Sequence, residues 1–139
     1  MANGRASTSH LQDLSGAPVS VPDSGNRNVT LLYFFAPWCG VCKVSMPNLN
    51  DLKRNMPDVN IQAVALDYES QEDVKAFVKK HHIEVPVAYG NDELRRLWHV
   101  EAYPSYFVID EDQTIRFRSV GYSSELGMIL KIFWLRFFG

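Results

Sequence analysis

FAPWCGVCKVSMP, residues 35–47, contains both cysteines of a chain of 139 residues, Cys39 and Cys42, separated only by Gly40 and Val41. A secreted disulfide scaffold spreads several cysteines along its sequence. A bridge between these two closes a loop too short to stabilise a fold much through chain entropy. A structural zinc site needs about four ligands, and no second cysteine pair exists to complete one. The pair reads as a redox device.

The surroundings of this stretch set the fold. Residues 29–36 (VTLLYFFA) are β-branched, aromatic and apolar throughout, the pattern of a strand buried on both faces. A helix is expected over 40–56, kinked by Pro47. Residues 60–66 (NIQAVAL) read as a second buried strand. Ser70 opens a helix with Asp73 as a capping partner, burying Val74, Phe77 and Val78 opposite Lys75, Lys79 and Lys80. A short strand follows at 86–88, and Asn91 caps a helix that buries Leu94, Leu97 and Trp98. Residues 105–109 and 114–120 form a hairpin, and a last helix runs over 123–137. Residues 1–27, rich in Ser, Gly, Asn and Pro with an extended piece at 19–21, read as a loose tail. Flexible chain over 1–16 and one domain over 17–139 are expected. The order of elements predicts an α/β sandwich around a central mixed sheet flanked by helices, parallel early and antiparallel late.

Composition excludes other classes. The hydrophobic fraction is 46%, the charged fraction 22% and the formal net charge −2, so no nucleic-acid or membrane steering is expected. No apolar run approaches the roughly 18 residues that span a bilayer. Residues 1–10 hold no apolar signal core.

At the end of the first buried strand Cys39 meets the start of a helix, where free backbone N–H groups and the helix dipole favour a thiolate over a thiol. The thiolate is the attacking species in disulfide exchange. Cys42, one turn inside, is more protected and is placed to attack the resulting mixed disulfide. The sequence Trp38-Cys39-Gly40-Val41-Cys42-Lys43 after a hydrophobic strand resembles the thioredoxin superfamily. Pro47 matches that family's helix-kinking proline, and Pro104, in Ala-Tyr-Pro-Ser-Tyr over 102–106, matches its cis-proline. The resemblance covers residues 17–138. It is nearest to the TlpA/DsbE-like branch with ScsD-like proteins, given the insertion between the second core strand and Pro104, the strand end over 65–70 and the closing residues 121–126.

The resemblance implies a thiol–disulfide oxidoreductase with Cys39 as nucleophile and Cys42 as resolving thiol. Trp38, Gly40, Val41, Tyr103 and Pro104 would frame the substrate, with the backbone of Tyr103 pairing with an extended chain. It also implies protein thiol or disulfide substrates, a membrane-bound thiol partner that supplies or takes electrons, and no dissociable cofactor or metal. The expected protein is a periplasmic monomer, tethered to the inner membrane by a segment preceding this chain.

Two positions depart from the family pattern. Thioredoxins carry a buried acid six residues before the first cysteine, where this chain has Tyr33. Several TlpA-like reductases carry a glutamate three residues after the second, where it has Ser45. Neither replacement is a carboxylate base. Asp67 and Glu69, after the second strand, are the candidates for helping to deprotonate Cys42; the plain alternative is a solvated loop. Val41 stands where many thioredoxins have proline, so it either adds a backbone donor that makes the couple more oxidising or packs against the partner.

Other residues were weighed against simpler roles. His81 and His82 point apart on a helix and read as a solvated helix end. Met46 reads as core, and Trp38 as a shield and flat contact beside the reactive thiol. The last helix carries one stripe of Leu126, Ile129, Leu130, Phe133 and Phe137 and another of Met128, Ile132 and Leu135. Burial under the N-terminal tail is expected, with a membrane- or partner-facing surface as the alternative. Two functional alternatives remain: a Cu(I)-handling protein that adds His99 or Met46 to the two thiolates, and an adaptor with a vestigial pair.

Overall fold

Thr30–Phe35 is buried at every position because it lies mid-sheet, with neighbours on both sides and cores on both faces. The computed structural model describes residues 4–23, 28–121, 127–128, 131–132 and 134–135. In chain order the elements are β1 (Gly4–Arg5), β2 (Ser9–Asp13), β3 (Pro18–Val21), β4 (Thr30–Phe35), α1 (Gly40–Ser45), α2 (Asn48–Asn55), β5 (Asn60–Ala65), α3 (Gln71–Lys80), β6 (Val87–Tyr89), α4 (Asp92–Leu97), β7 (Ser105–Ile109) and β8 (Thr114–Val120). Among the described residues the strands form one sheet in the order β1-β8-β7-β4-β5-β6-β2-β3. Strands β4, β5 and β6 run parallel, whereas β7 and β8 are antiparallel to their neighbours. The fold is therefore the expected thioredoxin-like mixed sheet, and α3, β6 and α4 occupy the insertion before Pro104.

Alternation along β4 divides the core. Leu31, Tyr33 and Phe35 face a cluster with Cys39, Cys42, Met46, Val74 and Phe77. Leu32 and Phe34 face a second cluster with Leu94, Trp98 and Phe107. Helices α1, α2 and α3 thus cover one face and α4 the other. The last helix lies on the first face: Met128, Ile132 and Leu135 are helical and buried in the cluster that holds the thiols. Its stripe of Leu126, Ile129, Leu130, Phe133 and Phe137 falls outside the described residues.

Three expectations need correction. The helix expected over 40–56 is two helices, because Pro47 has no N–H to continue the ladder; Met46 and Pro47 make a turn between α1 and α2. Leu97 is exposed rather than buried. The flexible stretch expected over 1–16 instead supplies β1 and β2, with β1 pairing with β8 and β2 with β6. The domain consequently begins well before residue 17. From the same segment Leu11 and Val21 join the cluster on the opposite face, while Leu14 packs against the cluster that holds the last helix.

Long-range bonds explain why polar sequence folds at this edge. The buried Gln62 amide donates to the Ser20 carbonyl at 2.9 Å and accepts from the Asp23 N–H at 3.0 Å, which ties the end of β3 to β5. The Val21–Pro22 bond is cis, which the sequence reading had not marked.

Both expected helix caps are present. Ser70 Oγ accepts from the Asp73 N–H at 3.2 Å, and Asn91 Oδ1 accepts from the Leu94 N–H at 2.8 Å. Gly90 is required by space, since a Cβ there would sit 2.7 Å from the Ala65 carbonyl oxygen.

Candidate active site

After β4 the backbone turns through Ala36, Pro37 and Trp38, and the Cys39 N–H donates to the Ala36 carbonyl at 3.1 Å. The turn leaves Cys39 as the N-cap of α1, with extended backbone (φ −78°, ψ 118°). Its Sγ accepts from the Cys42 N–H at 3.2 Å, the bond that a serine or aspartate makes at most helix starts. An anionic sulfur is the stronger acceptor in that geometry. No acidic side chain lies in the first turn of α1 to oppose it.

The sequence reading looked to Val41 for this donor; the N–H engaged by the sulfur belongs to Cys42. A cysteine in a capping position three residues before its partner was the signal for it. Both thiols are free in this structure.

The two thiols differ in surroundings. Cys39 is 6% exposed, whereas Cys42 is fully enclosed. Burial, and then the Cys39 sulfur beside it, pushes the Cys42 thiol well above its ordinary range, with the Ala36 backbone offsetting part of the shift. Around the narrow opening at Cys39 stand exposed apolar side chains: Trp38 is 62% exposed, Val41 44% and Val44 66%. Gly40 adds open space, since a Cβ there would meet nothing.

Across the opening, the Tyr103–Pro104 bond is cis, and the Tyr103 carbonyl accepts from Cys39 Sγ at 3.5 Å. Asp67 ties this side to Trp38. Its carboxylate accepts from the Tyr103 phenol, and its backbone carbonyl accepts from Trp38 Nε1 at 2.9 Å. The Trp38 and Tyr103 rings meet edge to face, 5.7 Å apart between centroids. Asp67 holds this position at φ 50°, a left-handed conformation that aspartate tolerates better than most residues. Burial and the neighbouring Asp67 carboxylate push the Tyr103 phenol up, so it remains a donor.

The structure thus brings Trp38, Cys39, Cys42, Asp67, Tyr103 and Pro104 into one site. It gives the Asp67 carboxylate to a phenol rather than to a thiol. Glu69 is exposed on a separate groove of about 380 Å³ beside Trp38, lined also by Lys43, Phe77, Lys80 and His81.

Among the described residues, no group of three or more His, Cys, Asp or Glu side chains is placed to hold a metal ion. Met46 is buried in the thiol-side core. His99 follows Trp98 of the opposite core, and its carbonyl accepts from Arg118. His99 therefore lies on the core away from the thiols, and the copper alternative gains no support among the described residues. Two neighbours of Cys42 that the sequence reading noted only as departures, Tyr33 and Ser45, are fully buried.

Comparison with known proteins agrees with this geometry. The AhpC/TSA family model matches residues 3–118. A thioredoxin-like protein of Haemophilus influenzae is 27% identical over 130 residues, covering 93% of this chain and 76% of its own. The thiol-disulfide oxidoreductase ResA of Bacillus cereus is 31% identical over 104 residues, covering 73% of this chain and 60% of ResA. Among solved structures, a Chlorobium tepidum chain described as a thiol:disulfide interchange protein DsbE superposes with a TM-score of 0.83 at 26% identity, covering 96% of this chain and 95% of its own.

Proposed function

The chain belongs to the AhpC/TSA family and is a thioredoxin-like thiol–disulfide oxidoreductase, and on that premise we propose that it exchanges disulfides with extended protein segments, Cys39 attacking and Cys42 resolving. The observation that carries this reading is the capped sulfur: Cys39 Sγ faces both the Cys42 N–H and the Tyr103 carbonyl, beside the exposed apolar side chains of Trp38, Val41 and Val44. In the reductive direction the Cys39 thiolate attacks one sulfur of a substrate disulfide, and the other leaves as a thiolate. Cys42 then attacks Cys39, forming the internal bridge and releasing the second substrate thiol.

Trp38, Val41 and Val44 supply apolar contact, Gly40 leaves room for approach, and Tyr103 beside Pro104 offers backbone groups to a strand-like substrate. The resemblance further supports a periplasmic location at the inner membrane, with a membrane-bound thiol partner that renews or drains the pair. Insulin reduction tests the assignment. Turnover by the native protein that disappears in Cys39→Ser supports it; equal turnover in Cys39→Ser overturns it.

A further inference from the structure

Two hydroxyls are buried near the resolving thiol, in the part of the core that holds both cysteines. Tyr33 and Ser45 are fully buried, and neither Tyr33 OH nor Ser45 Oγ meets a hydrogen-bond partner among the described residues. Native proteins rarely leave such groups unpaired, because an unpaired buried hydroxyl is destabilising. Tyr33 projects from β4 into the cluster that contains both cysteines, and Ser45 lies three residues beyond Cys42 on α1, on the same side of the helix. Burial first, and then the charges that Cys42 and Cys39 would carry, push the Tyr33 phenol well above its ordinary range; both sulfurs are therefore within its electrostatic reach. Ser45 Oγ lies close enough to the phenol to offset part of that rise, so the two hydroxyls adjoin one another. A phenol held protonated is a donor and not a base.

We propose that Tyr33 and Ser45 are waiting donors for the Cys42 thiolate. The inference rests on the reading of Cys42 as the resolving thiol. In that step the Cys42 thiolate attacks the Cys39 sulfur of the mixed disulfide. A Cys42–Cys39 bond forms and the Cys39–substrate bond breaks. Over the two steps the cysteine pair gives two electrons to the substrate disulfide; in this second step the remaining substrate sulfur leaves as a thiolate and takes up the proton that Cys42 gave away. The hydroxyls transfer nothing. They pair while the sulfur is anionic, where donors fixed in a dry site are most effective.

The two steps separate when the reduced protein meets an equimolar aromatic disulfide such as Ellman's reagent. Attack by Cys39 releases one coloured thiolate, and resolution by Cys42 releases the second. Tyr33→Phe and Ser45→Ala, which keep the packing volume, should each slow the second release about tenfold, the effect of one lost hydrogen bond to an anion. The first release should stay within about twofold, since its sulfur keeps the same backbone donor. In Tyr33→Phe the pH at which the second release reaches half its plateau should move upward. An unchanged second release in both Tyr33→Phe and Ser45→Ala overturns the inference, as does equal slowing of both releases. No release at all by the native protein overturns the exchange reading itself, which is a distinct result.

Discussion

Asp67 links both aromatic walls of the opening, so its replacement separates a holding role from an acid–base one. Asp67→Ala removes the acceptor of the Tyr103 phenol, a hydrogen bond to a charged group worth about 1.5 kcal/mol at this exposed site. It also places a residue without a local hydrogen-bonding side chain at φ 50°, at a cost of about 1 kcal/mol. With about 2.1 cal/mol/K of unfolding entropy per residue, a chain of this length loses about 3 °C of Tm per kcal/mol, so the Ala variant should melt about 7 °C lower. Asp67→Asn tolerates the left-handed backbone and still accepts from Tyr103, so it should lose only about 2 °C. Tyr103→Phe should cost about 1.5 kcal/mol alone and much less beside Asp67→Ala. Differential scanning calorimetry measures these shifts. In insulin reduction, Asp67→Asn should leave the shape of the pH–rate curve unchanged, because the carboxylate is engaged by a phenol rather than by a thiol. A changed curve in Asp67→Asn that Tyr103→Phe does not reproduce would refute this reasoning and restore Asp67 as the base for Cys42.

Further outcomes follow from the same geometry. Trp38→Ala should raise KM for a protein disulfide about tenfold, as expected for a lost aromatic anchor, and alter the rate with Ellman's reagent far less, which steady-state kinetics with both substrates will show. Stability of the reduced protein should fall in alkali. The Cys42 thiol is raised in the folded state, so the unfolded chain loses its proton first, and stability is complete below about pH 8.5 and declines above it by up to about 1.4 kcal/mol per pH unit. Urea titrations of the native protein and Cys42→Ala should therefore diverge above that pH, and superimposable curves would contradict the assigned burial. Gly90→Ala should destabilise by about 2 kcal/mol or more, since its Cβ would lie 2.6–2.7 Å from Leu66, Ala65 and Val64 atoms; an unchanged urea midpoint would count against that packing.

Legibility in the sequence follows the range of the interactions involved. The continuous apolar run of β4 and the helix starts at Ser70 and Asn91 are local signals, and these elements stand where their residues place them; Pro47 was read as a kink and instead divides the helix. The site was legible for the same reason: the two cysteines share one helix turn, and Pro104 sits in a short marked motif. The strands β1 and β2 were not legible, and β3 only as an extended piece at 19–21, since few apolar residues occur there and their order depends on pairing with β8 and β6 and on the Gln62 amide, all distant in sequence. Asp67 was marked as an acid, but its partner lies 36 residues away, so its bond to Tyr103 was beyond any spacing rule. Tyr33 and Ser45 were visible only as missing carboxylates. That both replacements are buried hydroxyls beside one thiol required the folded structure.

The central claim is tested most directly by a redox titration of the native protein in glutathione buffers, with thiols quenched by acid and the species resolved by mass spectrometry. The account predicts one two-electron transition to a form lacking two hydrogens, with Cys39 and Cys42 joined in a single linked peptide and no stable glutathione adduct. Accumulation of a singly glutathionylated protein without a bridged form would contradict it.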